Sequence, residues 1–287
     1  MPRLHPAFLR LLLCAACLLL AGGCSTVRIA YNNLDAVATW MAHDYFDLDA
    51  AQRDEFARRF ERLHAWHRRG ELPEYIRFLQ TIRQRTARGL RADDVLWVVD
   101  GLKQHYARIA AHSAADAADL LATLTPAQLA SFRLQLVKSN RKFRETHRSD
   151  DGEAARRKVL ERRALEQLHD WVGPLTDAQE RQVIGLLQVP LVDELRHRDR
   201  LRRQREFFTL LALRHGDRAE FTRRVRDWLV NWESGRNAAD ARLVAAAWQA
   251  RAGYYAAVDR LLTAEQRRHL LHRLQDYIDD LGALSGP

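Results

Sequence analysis

Apolar residues recur at helical spacing along almost the whole chain, and this spacing constrains the fold more than any other feature. One stripe consists of Val95, Val99, Leu102, Tyr106 and Ile109. Others consist of Leu160, Ala164, Leu168 and Trp171, and of Leu271, Leu274, Ile278 and Leu281. Each stripe makes its helix amphipathic, so each helix must pack against a neighbour. Since no alternating segment long enough for a strand is present, the sequence predicts an all-α protein whose tryptophans mostly fill the core.

Turn-forming residues are scarce, with 13 Gly and 7 Pro in 287 residues. The sequence therefore predicts long helices with few joints, in a single multi-helix bundle or array. Breaks are predicted at Gly70 (between helices over 49–69 and 73–88), Gly89, residues 149–152, Gly173-Pro174, Gly216-Asp217 and residues 235–237, with a kink at Pro190. No linker divides the chain, so we expect one helical body, with two lobes meeting near residue 150 as the alternative.

The N-terminus has the layout of a secretory signal. Arg3 and Arg10 precede an apolar run over 11–20, and small residues follow up to Gly23 and then Cys24. This order of basic, apolar and small residues is typical of a cleaved signal peptide. The run is too short for the roughly 20 residues that a membrane-spanning helix needs. We expect cleavage between Gly23 and Cys24; an ordinary signal followed by a chance cysteine is the alternative.

The segment ending at Cys24 resembles the lipobox of bacterial lipoproteins, although Ala21 stands where leucine is usual. The resemblance implies acylation of Cys24, with chains such as palmitate, and two or more acyl chains hold a protein stably on a bilayer. Ser25 after the cysteine implies the outer membrane of a Gram-negative cell, with the protein facing the periplasm. The predicted organisation is a signal peptide over 1–23, a lipidated segment and first helix over 24–48, and a helical periplasmic domain over 49–285.

A short pattern, Leu-[Asp/Thr]-x-x-Gln, occurs four times, at 48–52, 124–128, 175–179 and 262–266. The cap and glutamine positions are Asp49 and Gln52, Thr125 and Gln128, Thr176 and Gln179, and Thr263 and Gln266. An Asp or Thr oxygen accepts a free backbone N–H of the first helical turn, and the glutamine reaches back to the N–H of the cap residue. Each copy therefore predicts the start of a helix.

Two resemblances follow from these segments. The four copies resemble the LTxxQ motif of the Spy and CpxP group, small helical periplasmic proteins that include an ATP-independent chaperone. Segments 25–33, 44–48 and 67–73 resemble an uncharacterised family of Gram-negative lipoproteins. The first resemblance implies a chaperone-like role, whereas the second implies a class of protein but no mechanism.

Candidate chemistry is sparse. His64 and His67 lie three residues apart, as do His269 and His272, so each pair shares one helix face. A metal site would need further ligands, with Glu61 or Glu71 near the first pair and Asp276 near the second. The chain contains no HExxH, no G-x-S-x-G and no Gly-rich phosphate loop. We therefore predict no catalytic residue, no metal and no cofactor beyond the lipid on Cys24.

Charge and position give the remaining expectations. The formal charge is +9, and loss of Arg3 and Arg10 with the signal lowers it to +7. A basic surface attracts anionic partners. We expect a non-catalytic binding or chaperone-like envelope protein that contacts the membrane through its lipid and an envelope protein or unfolded client, but no nucleic acid. The alternative is a scaffold that links the outer membrane to a partner. Tyr45 and Phe46 are expected to pack in the core, with docking of a partner as the alternative.

Overall fold

The computed structural model describes residues 23–147, 151–187 and 192–286, with side chains described from residue 26 and, after the second gap, from 193. The helices are α1 Gly23–Asn32, α2 Leu34–Phe46, α3 Ala50–Trp66, α4 Leu72–Ala87, α5 Ala92–Ala122, α6 Pro126–His147, α7 Glu153–Val172, α8 Asp177–Leu186, α9 Val192–Leu211, α10 Arg218–Val230, α11 Ala238–Asp259 and α12 Ala264–Ser285. The prediction of an all-α array is confirmed. The predicted signal, the Cys24 side chain and Pro190 lie outside the described residues.

The longest helix, α5, is the spine of the molecule and contacts α3, α4, α10 and α11. Its buried face is a row of small residues, Ala110, Ala114 and Ala118. The predicted core stripe on this helix is wrong at two positions, because Leu102 is 58% and Tyr106 42% exposed. The physical reason is that alanines allow helices to approach closely at the spine, which leaves bulkier neighbours at the edge of the contact.

Two clusters of buried side chains form the core. The first joins α5, α6, α9 and α10 through Ala118, Phe132, Phe207, Leu210, Leu211, Phe221 and Val225. The second joins α7, α8 and α11 through Leu168, Val172, Val183 and Val258. The first cluster draws on both halves of the sequence, whereas all residues of the second lie after residue 150. Helix α12 packs along α4 and also contacts α1 and α7.

The predicted break at Gly70 is wrong. A π-helical turn, His67–Glu71, joins α3 directly to α4. Within it the Leu72 N–H donates to the His67 carbonyl, five residues back. Pro73 follows and has no N–H to donate to an i−4 carbonyl. The widened turn therefore lets the helix pass the proline without ending, and such turns are frequent at functional sites.

Other predicted joints are confirmed. Gly89 follows the end of α4 and Gly173 the end of α7, at φ of 94° and 81°. A side chain would be strained at this φ, so glycine is favoured at both helix ends. The Asp217 and Asn237 side chains accept backbone N–H groups at the starts of α10 and α11.

The tryptophans do not fill the core as predicted. None of the seven is fully buried, and Trp40 is 65% exposed. Five lie at the edge of the core beneath an arginine: Trp97 under Arg85, Trp171 under Arg273, Trp228 under Arg203, Trp232 under Arg236 and Trp248 under Arg251. The wide indole ring suits such positions because its face attracts a cation while its body covers apolar surface.

Candidate binding site

The first two Leu-[Asp/Thr]-x-x-Gln segments meet in space and bond to each other. Gln52 accepts from the Asp49 N–H and Gln128 from the Thr125 N–H, each closing its own capping box. The Gln52 amide donates to the Thr123 carbonyl at 3.1 Å, and the Gln128 amide donates to the Asp47 carbonyl at 2.9 Å. The two buried amides also contact each other, with Gln128 Nε2 at 2.5 Å from Gln52 Oε1.

The last two segments repeat this arrangement atom for atom. Gln179 and Gln266 close their own boxes with Thr176 and Thr263. The Gln179 amide donates to the Leu261 carbonyl at 2.9 Å and to Gln266 Oε1 at 2.8 Å. In return the Gln266 amide donates to the Pro174 carbonyl at 2.8 Å and to Gln179 Oε1 at 3.0 Å.

In all four cases the accepting carbonyl belongs to the residue two positions before the partner's cap. We call the two units the first glutamine pair, Gln52 with Gln128, and the second glutamine pair, Gln179 with Gln266. Each pair clamps two helix starts together, so the motif fixes tertiary packing as well as helix ends. The sequence indicated the caps but not the pairing; the signal was the glutamine, whose side-chain NH2 group a lone capping box leaves unused.

An apolar cavity of about 480 Å³ opens beside the first glutamine pair. Its walls come from α2, α3, α5, α6, α9 and α10 and from the leucines that begin the two motifs. The apolar lining consists of Ala42, Phe46, Leu48, Phe56, Ala117, Leu120, Leu121, Leu124, Phe132, Leu136 and Phe207. Its polar lining consists of Thr123, Arg200, Arg203, Gln204 and the Trp228 indole. An apolar chamber with a few polar groups is the usual form of a small-ligand site.

The two arginines of the cavity are weakly neutralised. Burial lowers the pKa of Arg203, against the opposing effect of Glu206, whose carboxylate lies 3.5 Å away. The Arg203 guanidinium also lies 3.9 Å from the centre of the Trp228 ring. Arg200 donates to the neutral oxygens of Asn140 at 2.5 Å and Ser139 at 2.7 Å, and within the described part of the chain it has no carboxylate partner. The cavity therefore carries uncompensated positive charge.

A further polar group of this cavity lacks a partner. The Trp228 Nε1 atom is buried and makes no hydrogen bond within the described residues. Leaving a buried donor unsatisfied costs about 1–3 kcal/mol. Because this atom exposes almost no surface, a ligand in the cavity would meet the face or edge of the ring and not its N–H. The apolar lining and the two arginines together can hold an apolar chain and offset a negative charge on it.

A second cluster fastens α1 to the π-helical turn. The Tyr31 hydroxyl lies 2.8 Å from His67 Nδ1, and His67 Nε2 lies 3.2 Å from the Tyr75 hydroxyl. Arg68 donates to the Asn32 side chain at 2.7 Å. Burial lowers the pKa of His67 and raises the pKa of Tyr31 to about 12. The segments 25–33 and 67–73, which were noted separately in the sequence, thus meet at one place.

The candidate metal ligands are not brought together there. Glu71 is buried and held by Arg108 through three hydrogen bonds of 3.0, 3.2 and 2.9 Å. The His64 ring faces Tyr31 at 4.5 Å between centroids, and His67 is bonded to tyrosines. At the other pair, His272 Nδ1 lies 3.1 Å from Asp276. Across the described residues no three ligand-type side chains converge on one point.

Tyr45 and Phe46 lie against the first core cluster. The Phe46 ring stacks on Phe132 at 4.4 Å between centroids, and Tyr45 approaches the same ring at 6.3 Å. Asp49, the residue directly after segment 44–48, caps α3. This placement agrees with core packing of the segment, since both rings face inward.

Comparison with known proteins places the chain in a family without assigning a function. The model of a family of unknown function (DUF6279) matches residues 44–242, more than half of the chain. The match includes the first glutamine pair and all residues that line the cavity except Ala42, whereas the fourth motif lies beyond it. No curated protein and no solved structure matches the chain.

Proposed function

We propose that this chain, which belongs to the DUF6279 family of unknown function, is a non-catalytic binding protein held at a membrane by lipid on Cys24. Its ligand is an anionic amphiphile, with an apolar tail in the cavity and a negatively charged group at Arg200 and Arg203. The observation that carries this proposal is the joining of an apolar chamber to weakly neutralised arginines in one cavity.

The size and lining of the cavity support the apolar part of this ligand. Its volume of about 480 Å³ lies within the roughly 300–1,000 Å³ of ordinary ligand sites. Four phenylalanines line it, namely Phe46, Phe56, Phe132 and Phe207. Each methylene moved from water into such a wall contributes about 0.8 kcal/mol. A chain of several methylenes is therefore enough for measurable affinity.

The charge of the cavity supports the anionic part. A carboxylate or phosphate at Arg200 would supply the ionic partner that Asn140 and Ser139 do not. Hydrogen bonds to a charged group contribute about 1.5–3 kcal/mol. An anionic amphiphile should therefore bind at least about tenfold more tightly than an uncharged one of equal length, since about 1.4 kcal/mol is a factor of ten.

The cavity favours a small ligand over the two broader alternatives. An unfolded client would need an extended apolar groove, whereas this cavity of about 480 Å³ has room for one short chain. A scaffold needs a flat partner surface and gives no reason for an internal apolar chamber. Client binding predicts suppression of aggregation that weakens as salt screens the basic surface. A structural link predicts one stoichiometric partner in crosslinked membranes.

The proposed anchor and location rest on the sequence around Cys24 and Ser25. Membrane fractionation of the native protein beside a Cys24→Ala variant, with intact mass, tests them. We expect a mature wild-type chain that begins at Cys24, carries acyl groups and sediments with membranes. The variant should carry no acyl groups and should not sediment with membranes. A soluble, unlipidated wild-type product would contradict the anchor and the outer-membrane location together.

Ligand binding is tested by calorimetric titration of the membrane-extracted protein with decanoate, decanol and decyltrimethylammonium. We expect saturable binding in the order anion, alcohol, cation. Arg200→Gln should lower the affinity for decanoate about tenfold and leave that for decanol unchanged. Arg226→Gln, at an exposed position on α10, is the matched control for loss of one charge. Equal affinity for all three probes would refute the proposed anion site.

A further inference from the structure

We propose that the outer face of α2 is a membrane-docking surface that lies in the lipid headgroup region. This face carries an apolar stripe, defined here as Leu34, Val37, Trp40 and Met41, each exposed. The inference rests on the proposed lipid anchor and adds to it a protein surface that sets the orientation of the body on the bilayer.

The two faces of α2 differ in what they contact. Ala42 and Phe46 face inward and line the apolar cavity. Leu34, Val37 and Met41 follow a helical spacing of three and four residues, so they lie on one outward strip about 10 Å long. No residue of α2 is fully buried, and the helix is more apolar than a surface helix needs to be for solubility. A contiguous exposed apolar strip of this kind marks an interaction surface.

Trp40 points to a bilayer as the occupant. At 65% exposed it is the most exposed tryptophan of the chain, and none of the arginines that the structure describes lies over its ring. Tryptophan is enriched at membrane–water interfaces, where the ring body is apolar and the N–H stays hydrated. The exposed carboxylate of Asp44 follows the stripe on the same helix. A charged side chain at this point fits a helix that lies in the interface rather than across the membrane.

The position of the stripe gives an independent argument. Leu34 is ten residues after Cys24, and α1 accounts for almost all of that interval. A ten-residue helix is about 15 Å long. Tyr31 fastens α1 to the body through His67, so the anchor is attached by a rigid element. Acyl chains inserted at Cys24 therefore hold the stripe within reach of the headgroups.

Beside the exposed carboxylates Asp35 and Asp44 of α2, the neighbouring helix adds further apolar side chains and a cation to this surface. Helix α6 contacts α2, and its Gln135 donates to the Asp44 carbonyl at 3.2 Å. Around that contact α6 exposes two more apolar side chains, Leu134 and Val137, and then Lys138. Apolar residues that enter the interface beside a cation for anionic headgroups are typical of amphipathic surface helices.

The test compares two labelled sites with equal exposure. Val37 is 47% exposed on α2, and Leu243 is 46% exposed on α11, away from the anchor. Val37→Cys and Leu243→Cys proteins, extracted from membranes, are labelled with an environment-sensitive fluorophore. They are then reconstituted into phosphatidylethanolamine and phosphatidylglycerol vesicles with brominated acyl chains as quencher. We expect blue-shifted, quenched emission at residue 37 and unchanged emission at residue 243.

Flotation of the same vesicles separates the two proposals. Protein that floats but shows no quenching at residue 37 would overturn the docking surface and leave the anchor intact. Protein that does not float would overturn the anchor, and the docking surface with it. A blue shift at residue 37 without lipid quenching, together with crosslinking between two Val37→Cys chains, would show that a second copy covers the stripe and would overturn the proposal.

Discussion

Replacement of Gln179 by alanine is the sharpest test of the glutamine pairs. The side chain accepts from the Thr176 N–H at 3.0 Å and donates to the Leu261 carbonyl at 2.9 Å. It also bonds to the amide of Gln266. Alanine is also a good helix former, so the variant should keep the helix but lose all of these bonds. We expect a large loss in the free energy of unfolding.

The magnitude follows from the bonds lost and the groups left behind. Each net hydrogen bond contributes about 0.5–1.5 kcal/mol, so the four bonds contribute at least about 2 kcal/mol. The Leu261 carbonyl and part of the Gln266 amide then lie buried without a partner, although a water in the vacated space recovers part of that cost. We expect a total loss of about 3–4 kcal/mol, which is large for one polar substitution.

Urea unfolding of the wild-type and variant proteins measures this loss. Gln275→Ala on α12 is the matched control, because that amide donates only to Asp279 one turn away, on the surface. The control should lose no more than about 0.5 kcal/mol. The double variant Gln179→Ala, Gln266→Ala should lose less than the two single variants added together, since they share bonds. A loss at Gln179 no larger than at Gln275, or full additivity, would refute the clamp.

Two further predictions concern packing and pH. Gly101→Ala should destabilise the protein by about 1–3 kcal/mol in a thermal unfolding assay, because an added Cβ would lie 2.6 Å from Phe78 Cζ. Gly253 has open space around it, so Gly253→Ala should be neutral or stabilising in the same assay. Burial holds the pKa of His67 below its ordinary value of 6.5. The neutral ring therefore contributes stability above pH 6.5, and this stability is lost as the pH falls through the lowered pKa. Thermal unfolding between about pH 7.5 and pH 5 should show this loss of stability, and the loss should be smaller in His67→Gln. An unchanged pH dependence in the variant would contradict the assignment of this loss to His67.

Much of the fold could be predicted from local sequence. A capping box is formed by residues three apart, so Thr176 with Gln179 and Thr263 with Gln266 were visible without any tertiary structure. The helix end at Gly173 was visible for the same reason, because its positive φ is a local requirement.

The pairing of the boxes could not be predicted, because it depends on contacts over a separation of 76 residues in one case and 87 in the other. The break expected at Gly70 was wrong because a π-helical turn carries the helix past Pro73 without ending it. The cavity also escaped prediction. The sequence around Arg200 and Arg203 is typical of a charged surface helix, and only packing shows that Arg203 lies over the Trp228 ring.

The most direct test of the account is a titration of the protein with decanoate before and after the cavity is filled. Ala117 lines the chamber, so Ala117→Phe places a ring where the proposed tail would lie. Leu243→Phe, on the exposed surface of α11, is the matched control. We predict one saturable site in the wild-type and control proteins and none in the Ala117 variant, whose circular dichroism stays helical. Unchanged binding in a folded Ala117→Phe protein, or no binding in the wild type, would contradict the central claim.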